Sequence, residues 1–381
     1  MNLNPPGPSY SDSSELPPEN EDYLTKQIIT YLGNKRALLD FIGEGLRIVQ
    51  KRLNRQKLTM FDVFSGSGIV ARYFKRFAAS LLVNDLEKYT VPINGCYLSN
   101  RDDLPIPALK ELHRDLTETL GGKPLKAGMV TALYAPQDDD NIKLHERVFF
   151  TRRNAMYLDT ARNLIDGIDE KYRLYFLAPL LSEASIHSNT SGVFKGFYKN
   201  KLTGAGQFGG SSGDALLRIK GDITLPFPVF SNFNCPCVIY NEDSNKLIET
   251  APEVDMAYLD PPYNQHPYGS NYFMLNLIAG AAYPKSISRV SGIPADWNRS
   301  VYNKRRQAHR ALAELAARIR ARYVLVSFNS EGFIPPGDMK AMLEKIGKLE
   351  ILETAYTVFR GARNLSGRGL HVKEYLYLLE K

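Results

Sequence analysis

Cysteine is scarce in this chain, with Cys96, Cys235 and Cys237 the only three in 381 residues. That is too few for a disulfide framework and fits a reducing cytoplasm. Cys235 and Cys237 have the wrong spacing for a zinc pair, and no second pair completes a site. Long apolar runs are also missing: none reaches the length of a membrane span, and the N-terminal segment lacks a signal peptide's basic-then-apolar layout. Asp138-Asp139-Asp140 has no nearby His or Glu to complete a metal set and reads as a solvated loop. No internal repeat and no nuclease motif is found. These absences exclude a disulfide scaffold, a membrane-spanning protein and a metal enzyme of ordinary type. They leave a cytoplasmic globular protein without a metal.

What is present is a chain long enough for a large core, divided into two lobes or carrying one large insertion. Its 44% hydrophobic and 23% charged residues are ordinary, and its net charge of +7 leans toward a polyanionic partner. Residues 1–22 are rich in Pro, Ser, Glu and Asn and read as a disordered tail. From Ile28 the chain becomes structured. Tyr31-Leu32-Gly33-Asn34-Lys35 is a polar turn, and Leu38, Leu39, Ile42, Leu46, Val49 and Leu53 behind it fall at helical spacing, with Asn34 as the N-cap. Free N–H groups and Lys35 at that turn suit an anion.

Met60 to Phe64 reads as a strand, Ser65-Gly66-Ser67-Gly68 as a glycine turn, and Ile69 to Phe77 as a helix. This layout brings backbone close to a nucleoside or phosphate. A second strand, Leu81-Leu82-Val83, is followed by Asn84-Asp85-Leu86-Glu87. An acid about 20 positions past a glycine loop is where a ribose is gripped, which favours Asp85 and then Glu87. Beyond Lys88 the α/β rhythm fades, with helical material from Ala155 to Ser185. Between Ser191 and Lys220, Lys195, Lys199, Lys201, Arg218 and Lys220 are interleaved with Phe194, Phe197, Tyr198, Phe208 and several glycines. That is the composition of a mobile surface contacting nucleic acid.

Val238-Ile239-Tyr240 is a strand ending in the polar cluster Asn241-Glu242-Asp243-Ser244. Asp255 to Leu259 is a further strand, apolar like a buried parallel one, ending in Asp260-Pro261-Pro262-Tyr263. The prolines stop the strand and pin the turn, so a carboxylate sits at a strand's carboxyl end with a ring three residues on. Asp260 and the carbonyl of Pro261 can accept both hydrogens of an exocyclic amine while Tyr263 stacks on its ring. Asn303 to Arg322 forms a basic helix, Tyr323 to Phe328 a strand, and Ile351 to Phe359 with Glu374 to Leu379 a closing hairpin. The hairpin connection carries Arg360, Arg363 and Arg368.

In this order the segments Tyr31 to Lys35, Phe64-Ser65-Gly66-Ser67-Gly68, Asn84-Asp85 and Asp260 to Tyr263 resemble the alpha group of adenine-specific DNA methyltransferases, the DNA adenine methylase type. The resemblance covers residues 27–90 and 236–381. It implies a Rossmann-like α/β domain with a mostly parallel seven-stranded sheet and a C-terminal hairpin. Residues 23–103 and 235–381 would form this catalytic domain, with a largely helical target-recognition region inserted at 104–234. It also implies S-adenosylmethionine as donor and S-adenosylhomocysteine as product. Tyr31, Gly33, Asn34 and Lys35 would face the donor's methionine end, Phe64 to Gly68 would pass beneath it, Asp85 would hold its ribose, and Asn241 and Asp243 would help seat its adenine. Asp260, Pro261, Pro262 and Tyr263 would act on an adenine flipped out of duplex DNA. Lys195, Lys199, Lys201, Arg360, Arg363 and Arg368 would contact the DNA. A nucleoid-associated enzyme, alone or beside a restriction endonuclease on a separate chain, is the implied setting.

Other readings stay open. Pro236-Cys237 is the pair of cytosine carbon-5 enzymes, but it precedes an apolar strand and reads as a buried strand cysteine. The exocyclic amine of cytosine is the nearer alternative, although that group more often has Ser at the place of Asp260. RNA or protein methylation, or a non-catalytic DNA-binding module, are the remaining ones.

Overall fold

The computed structural model describes residues 18–26, 28–210, 213, 215–357 and 371–381. Seven strands form one sheet: β1 (Leu58–Asp62), β2 (Ala78–Asn84), β3 (Cys237–Tyr240), β4 (Val254–Leu259), β5 (Ala321–Asn329), β6 (Lys348–Thr357) and β7 (His371–Glu380). Their spatial order is β3-β2-β1-β4-β5-β7-β6. The first five run parallel, while β7 is antiparallel to both β5 and β6. The chain leaves β1 toward β2 and β3, then returns to place β4 on the other side of β1. Their carboxyl ends are therefore the topological switch point, where open α/β sheets bind ligands.

Alternation along the strands sorts their side chains onto two apolar faces. Met60, Met256, Tyr258 and Leu325 pack with the helix Leu39–Leu53 and the helix Ile69–Lys75. Phe61, Ala257, Leu259 and Val326 pack against the helices Arg305–Arg318 and Pro336–Leu343. Central β4 is apolar along nearly its whole length because helices cover both its faces. The helix Leu39–Leu53 buries Leu39, Ile42, Leu46 and Val49 and ends at Asn54, which takes the left-handed conformation. Asn34 is not the N-cap expected of it: Leu38 precedes the helix and Lys35 precedes the short 3₁₀ turn Arg36–Leu38 that leads into it, while Asn34 accepts the Arg36 N–H at 2.8 Å within the preceding turn.

A third core belongs to the chain between β2 and β3, which is helical at Thr90–Tyr97, Ile106–Gly122, Met129–Tyr134, Arg152–Asp166, Glu170–Ile186 and Leu216–Lys220. Tyr272, Phe273, Leu275 and Ile278, which follow β4 in the chain, pack into that same core. Buried Asp159 ties two of its helices together. Its carboxylate accepts the N–H groups of Gly128, Val130 and Thr131 at 2.8 to 2.9 Å and the Thr131 hydroxyl at 2.7 Å.

Several expectations need adjustment. Of the segment read as a tail, residues 1–17 lie outside the described residues. Residues 18–22 are not a free tail: Glu19 accepts hydrogen bonds from Ser231 and Asn232, and Asn20 caps a helix at Glu21–Thr25 whose Tyr23 is buried. The helix expected to reach Phe77 stops at Lys75, because Phe77 turns its carbonyl to the N–H of Leu58 at the start of β1. The basic helix is shorter at both ends, Arg305–Arg318, since Ala321 already belongs to β5. Among the described residues, no helix is long and apolar enough to cross a membrane.

The Asp159 hub carries a prediction. Asp159→Ala leaves the buried N–H groups of Val130 and Thr131 and the half-buried one of Gly128 without this acceptor and should lower unfolding stability by about 2–4 kcal/mol in urea titrations. Asp159→Asn should recover part of the loss. A midpoint unchanged in the alanine variant would show that the hub contributes nothing.

Candidate active site

The carboxyl ends of β1, β2 and β4 open into one cavity, the position at which open α/β sheets take a ligand. At the end of β1, Phe64, Ser65, Gly66 and Ser67 form part of its wall. Gly66 has φ +51°, and a Cβ there would lie 2.7 Å from the Tyr31 hydroxyl, so only glycine lets the loop pass under that ring. The Gly66 N–H donates to Asp85 at 2.8 Å, locking the loop to the end of β2.

Asp85 also accepts the Glu87 N–H, 2.9 Å, and Glu87 in turn accepts the amides of Asn276, 2.6 Å, and Asn298, 3.4 Å. Burial pushes the Asp85 carboxyl up to about 6, with the N–H donors opposing it. Burial likewise carries Glu87 to about 7. Asp62, the last residue of β1, is fully buried on the same wall, and neither carboxylate oxygen has a well-formed hydrogen bond among the described residues. Burial, with Asp260 and Asp85 nearby, holds its carboxyl well above the usual range, against the weaker pull of the Phe64 and Ala71 N–H groups.

The same cavity is lined by Asp260, Pro261, Pro262 and Tyr263, which follow the neighbouring strand β4. The Tyr263 ring packs edge-on against Phe328 with centroids 5.5 Å apart, and its carbonyl accepts the Phe333 N–H. Lys35 is buried between two carboxylates: its Nζ lies 2.7 Å from Glu374 Oε1 and 3.3 Å from Asp260 Oδ1, and 5.5 Å from the Tyr263 ring centre. Burial alone would lower the lysine, but Asp260 and Glu374 push it well above its ordinary value. Burial raises Asp260 to about 7, against the pull of Lys35 and with a further push from Glu374. The turn that carries Lys35 is held by aromatic stacking. Tyr31 lies 5.0 Å from both Tyr268 and Tyr272, and those two tyrosines bond the carbonyl and the N–H of Leu32.

The cavity thus gathers Tyr31, Gly33, Asn34, Lys35, Phe64 to Ser67, Asp85, Asp243 and Asp260 to Tyr263. Gly68 and Asn241 are not on the wall. Gly68, at φ +76°, lies against Asn94, and Asn241 supports the turn by donating to the carbonyl of Asp85, 2.8 Å. Asp62, Tyr258, Tyr268, Asn298 and Tyr302 are wall residues that the sequence reading missed, and Glu374 stands behind Lys35. Asp62 could have been found as the one acid ending an otherwise apolar strand; Glu374 left no local signal. The wall suits a ligand that is cationic at one end, facing Asp62, and hydroxylated near Asp85. Cys237 begins β3 at its amino end and is not part of the wall, which removes the nucleophile reading. Among the described residues no group of three His, Cys, Asp or Glu side chains could hold a metal.

Of the expected nucleic-acid contacts, Lys195, Lys199 and Lys201 are exposed. Arg360, Arg363 and Arg368 lie outside the described residues. The interleaved aromatics are not a stacking surface: Phe194 and Phe208 are buried, and Phe197 packs edge-on against Phe149. Arg218 faces inward, donating to the carbonyls of Ile186, Ser188 and Thr190.

The buried acids give a pH prediction. Glu87 titrates near 7 in the folded chain against an ordinary 4.5. Between those values the folded state keeps a proton that the unfolded chain has released, so stability falls as pH rises through that window. Glu87→Gln removes the effect. In urea unfolding of the cofactor-free protein, the variant should gain about 2–3 kcal/mol on the parent between pH 5 and pH 8. A difference that does not change with pH would refute the raised value.

The model of the D12 class N6 adenine-specific DNA methyltransferase family matches residues 31–209 and 228–335. The type II methyltransferase M.CviAII of Paramecium bursaria Chlorella virus 1 is 30% identical over 362 residues, covering 92% of this chain and 98% of that relative. M.NlaIII of Neisseria lactamica is 28% identical, covering 93% of this chain and 99% of the relative. M.FokI of Planomicrobium okeanokoites is 26% identical over 92% of this chain, which spans 52% of that longer protein. The cytosine, RNA, protein and non-catalytic alternatives fall to these matches. With its glycine loop and its Asp-Pro-Pro-Tyr turn facing one cavity at the switch point of the sheet, the chain belongs to the D12 class of N6 adenine-specific DNA methyltransferases.

Proposed function

We propose that the cavity binds S-adenosylmethionine beside a flipped-out adenine, with Asp260, Pro261, Pro262 and Tyr263 as the acceptor site and S-adenosylhomocysteine as the product. The observation that carries this reading is that the Asp260 to Tyr263 turn and the Phe64 to Ser67 loop, which follow the adjacent strands β4 and β1, line one cavity. S-adenosylmethionine, when bound, supplies an electrophilic methyl group on a sulfonium. Tyr31, Gly33, Asn34 and Lys35 would line its methionine end, with the Asp62 carboxylate available to its ammonium. Asp85 would take the ribose hydroxyls, and Asp243 would border the adenine end.

The residues then account for the acceptor chemistry. The amino nitrogen of adenine is a poor nucleophile because its lone pair is delocalised into the ring. Asp260 and the Pro261 carbonyl accept the two amino hydrogens and favour the pyramidal nitrogen that develops during transfer. Tyr263 stacks on the base, and its edge contact with Phe328 fixes the plane it offers. Rate is then gained mainly by alignment of nitrogen and methyl. A base inside a duplex cannot reach this cavity, so it is flipped out.

In this reading residues 23–103 and 235–381 form the catalytic domain and 104–234 the target-recognition insert. Lys195, Lys199 and Lys201 are its exposed phosphate contacts, and Arg360, Arg363 and Arg368 join them from the hairpin connection. The enzyme works in the cytoplasm on nucleoid DNA, paired with a restriction endonuclease on a separate chain. The names of the type II relatives support that pairing.

Two kinds of measurement test the proposal, one on transfer and one on DNA binding. Methyl transfer from labelled donor to unmethylated duplex DNA should place the label in 6-methyladenosine after digestion. Asp260→Ala should lower the single-turnover rate by about 10²-fold or more while donor affinity stays within a few fold. A near-normal rate in that variant would remove Asp260 from the acceptor site. Replacing Lys195, Lys199 and Lys201 together by Gln should weaken DNA binding and flatten its salt dependence by about 0.9 for each phosphate no longer neutralised. An unchanged slope would place the DNA elsewhere.

A further inference from the structure

The cation behind the acceptor turn is shared unequally. Lys35 Nζ lies 2.7 Å from Glu374 Oε1, the distance of a charge-assisted hydrogen bond, but 3.3 Å from Asp260 Oδ1. Glu374 is itself held, because the Ser327 hydroxyl on β5 donates to the same Oε1 at 2.6 Å. Glu374 is 1% exposed and lies near the start of β7, opposite Asn329 at the carboxyl end of β5. Since β7 runs against its neighbours, a residue early in that strand reaches the same sheet edge as Asp260. The family match stops at residue 335, so Glu374 lies outside it.

We propose that Glu374 is a positioning residue for methyl transfer: it draws the Lys35 ammonium off Asp260 and leaves the lone pairs of Asp260 free for the adenine amino group. This rests on Asp260 being the acceptor of that group. A lysine has three N–H donors and seeks a partner for each when buried. Without Glu374, Lys35 would turn fully onto Asp260 and compete with the amine for the same oxygens. Without Lys35, the two carboxylates would face each other unscreened, and Asp260 would hold its proton to higher pH. Glu374 and Lys35 therefore act on Asp260 with opposite sign. The other titratable groups around Asp260 are Asp62 from β1, Tyr258 from β4, and Tyr263 and Tyr268 from the segment after it. Burial keeps Tyr258 and Tyr268 neutral in the working range, and Tyr263 and Asp62 are common to all the variants compared.

The test uses the full chain, unmethylated duplex DNA and saturating donor, with single-turnover transfer followed from pH 5 to 9. E374Q keeps the shape and removes the charge. Its plateau rate should fall about tenfold, with donor affinity and KM for DNA little changed. Its acid limb should move to lower pH by roughly half a unit or more. K35M should move the acid limb the other way. A merely structural Glu374 would change stability or plateau without moving the limb, so an unmoved limb in E374Q overturns the proposal. Should E374Q fail to fold by circular dichroism, Ser327→Ala takes its place. It frees Glu374 from one anchor and should move the limb in the same direction by less, and no movement overturns the proposal there. Transfer that survives in Asp260→Ala would instead overturn the acceptor assignment beneath it.

Discussion

A buried ammonium has to be compensated where it sits, and Lys35 is compensated by carboxylates from two distant parts of the chain. Asp260 ends a parallel strand, Glu374 begins an antiparallel one, and Lys35 precedes the first long helix. Removing Lys35 would leave the two carboxylates facing each other unscreened, so these three segments are fixed relative to one another by electrostatics as well as by the sheet. The aromatic stack of Tyr31, Tyr268 and Tyr272 serves the same end from the other side, because it fixes the turn on which Lys35 is carried. Geometry at the Asp260 to Tyr263 turn thus depends on side chains set behind the cavity as much as on those that line it.

The carboxyls of the cavity share another constraint. Asp62, Asp85, Glu87 and Asp260 all sit in a pocket that raises their affinity for protons. Crowding acids in this way opposes folding, and it is kept where the charge is useful to a bound cation.

The parts of this arrangement that were legible in the sequence are those where residue type dictates backbone. Pro261-Pro262 ends β4, glycine alone fits at 66, and the Gly66 to Asp85 spacing follows from one strand-helix-strand unit. What was hidden depends on direction or on long-range pairing. Gly68 and Asn241 are chain neighbours of wall residues yet face away, and a sequence does not say which way a turn residue points. Glu374 looks like any polar residue of an alternating strand until β7 is placed between β5 and β6. Phe194 and Phe208 read as exposed from the basic residues around them, but packing around Phe149, Phe150 and Val148 claims them for the interior. Tyr23, just past the segment read as a tail, carries no local signal of burial, yet its hydroxyl donates to the carbonyl of Tyr97.

The long excursion between β2 and β3 has an evolutionary consequence. It leaves and re-enters the sheet on adjacent strands, paired from Leu81 with Cys237 to Asn84 with Tyr240. The entropy of closing a loop grows only with the logarithm of its length, about 0.6 kcal/mol for each doubling. Material there can therefore be lengthened, trimmed or exchanged between lineages while the strands that carry the cavity keep their register. The limit is set by Tyr272, Phe273 and Ile278, whose packing against the excursion makes any replacement answer to the segment after β4. Variation in one should leave its mark on the other.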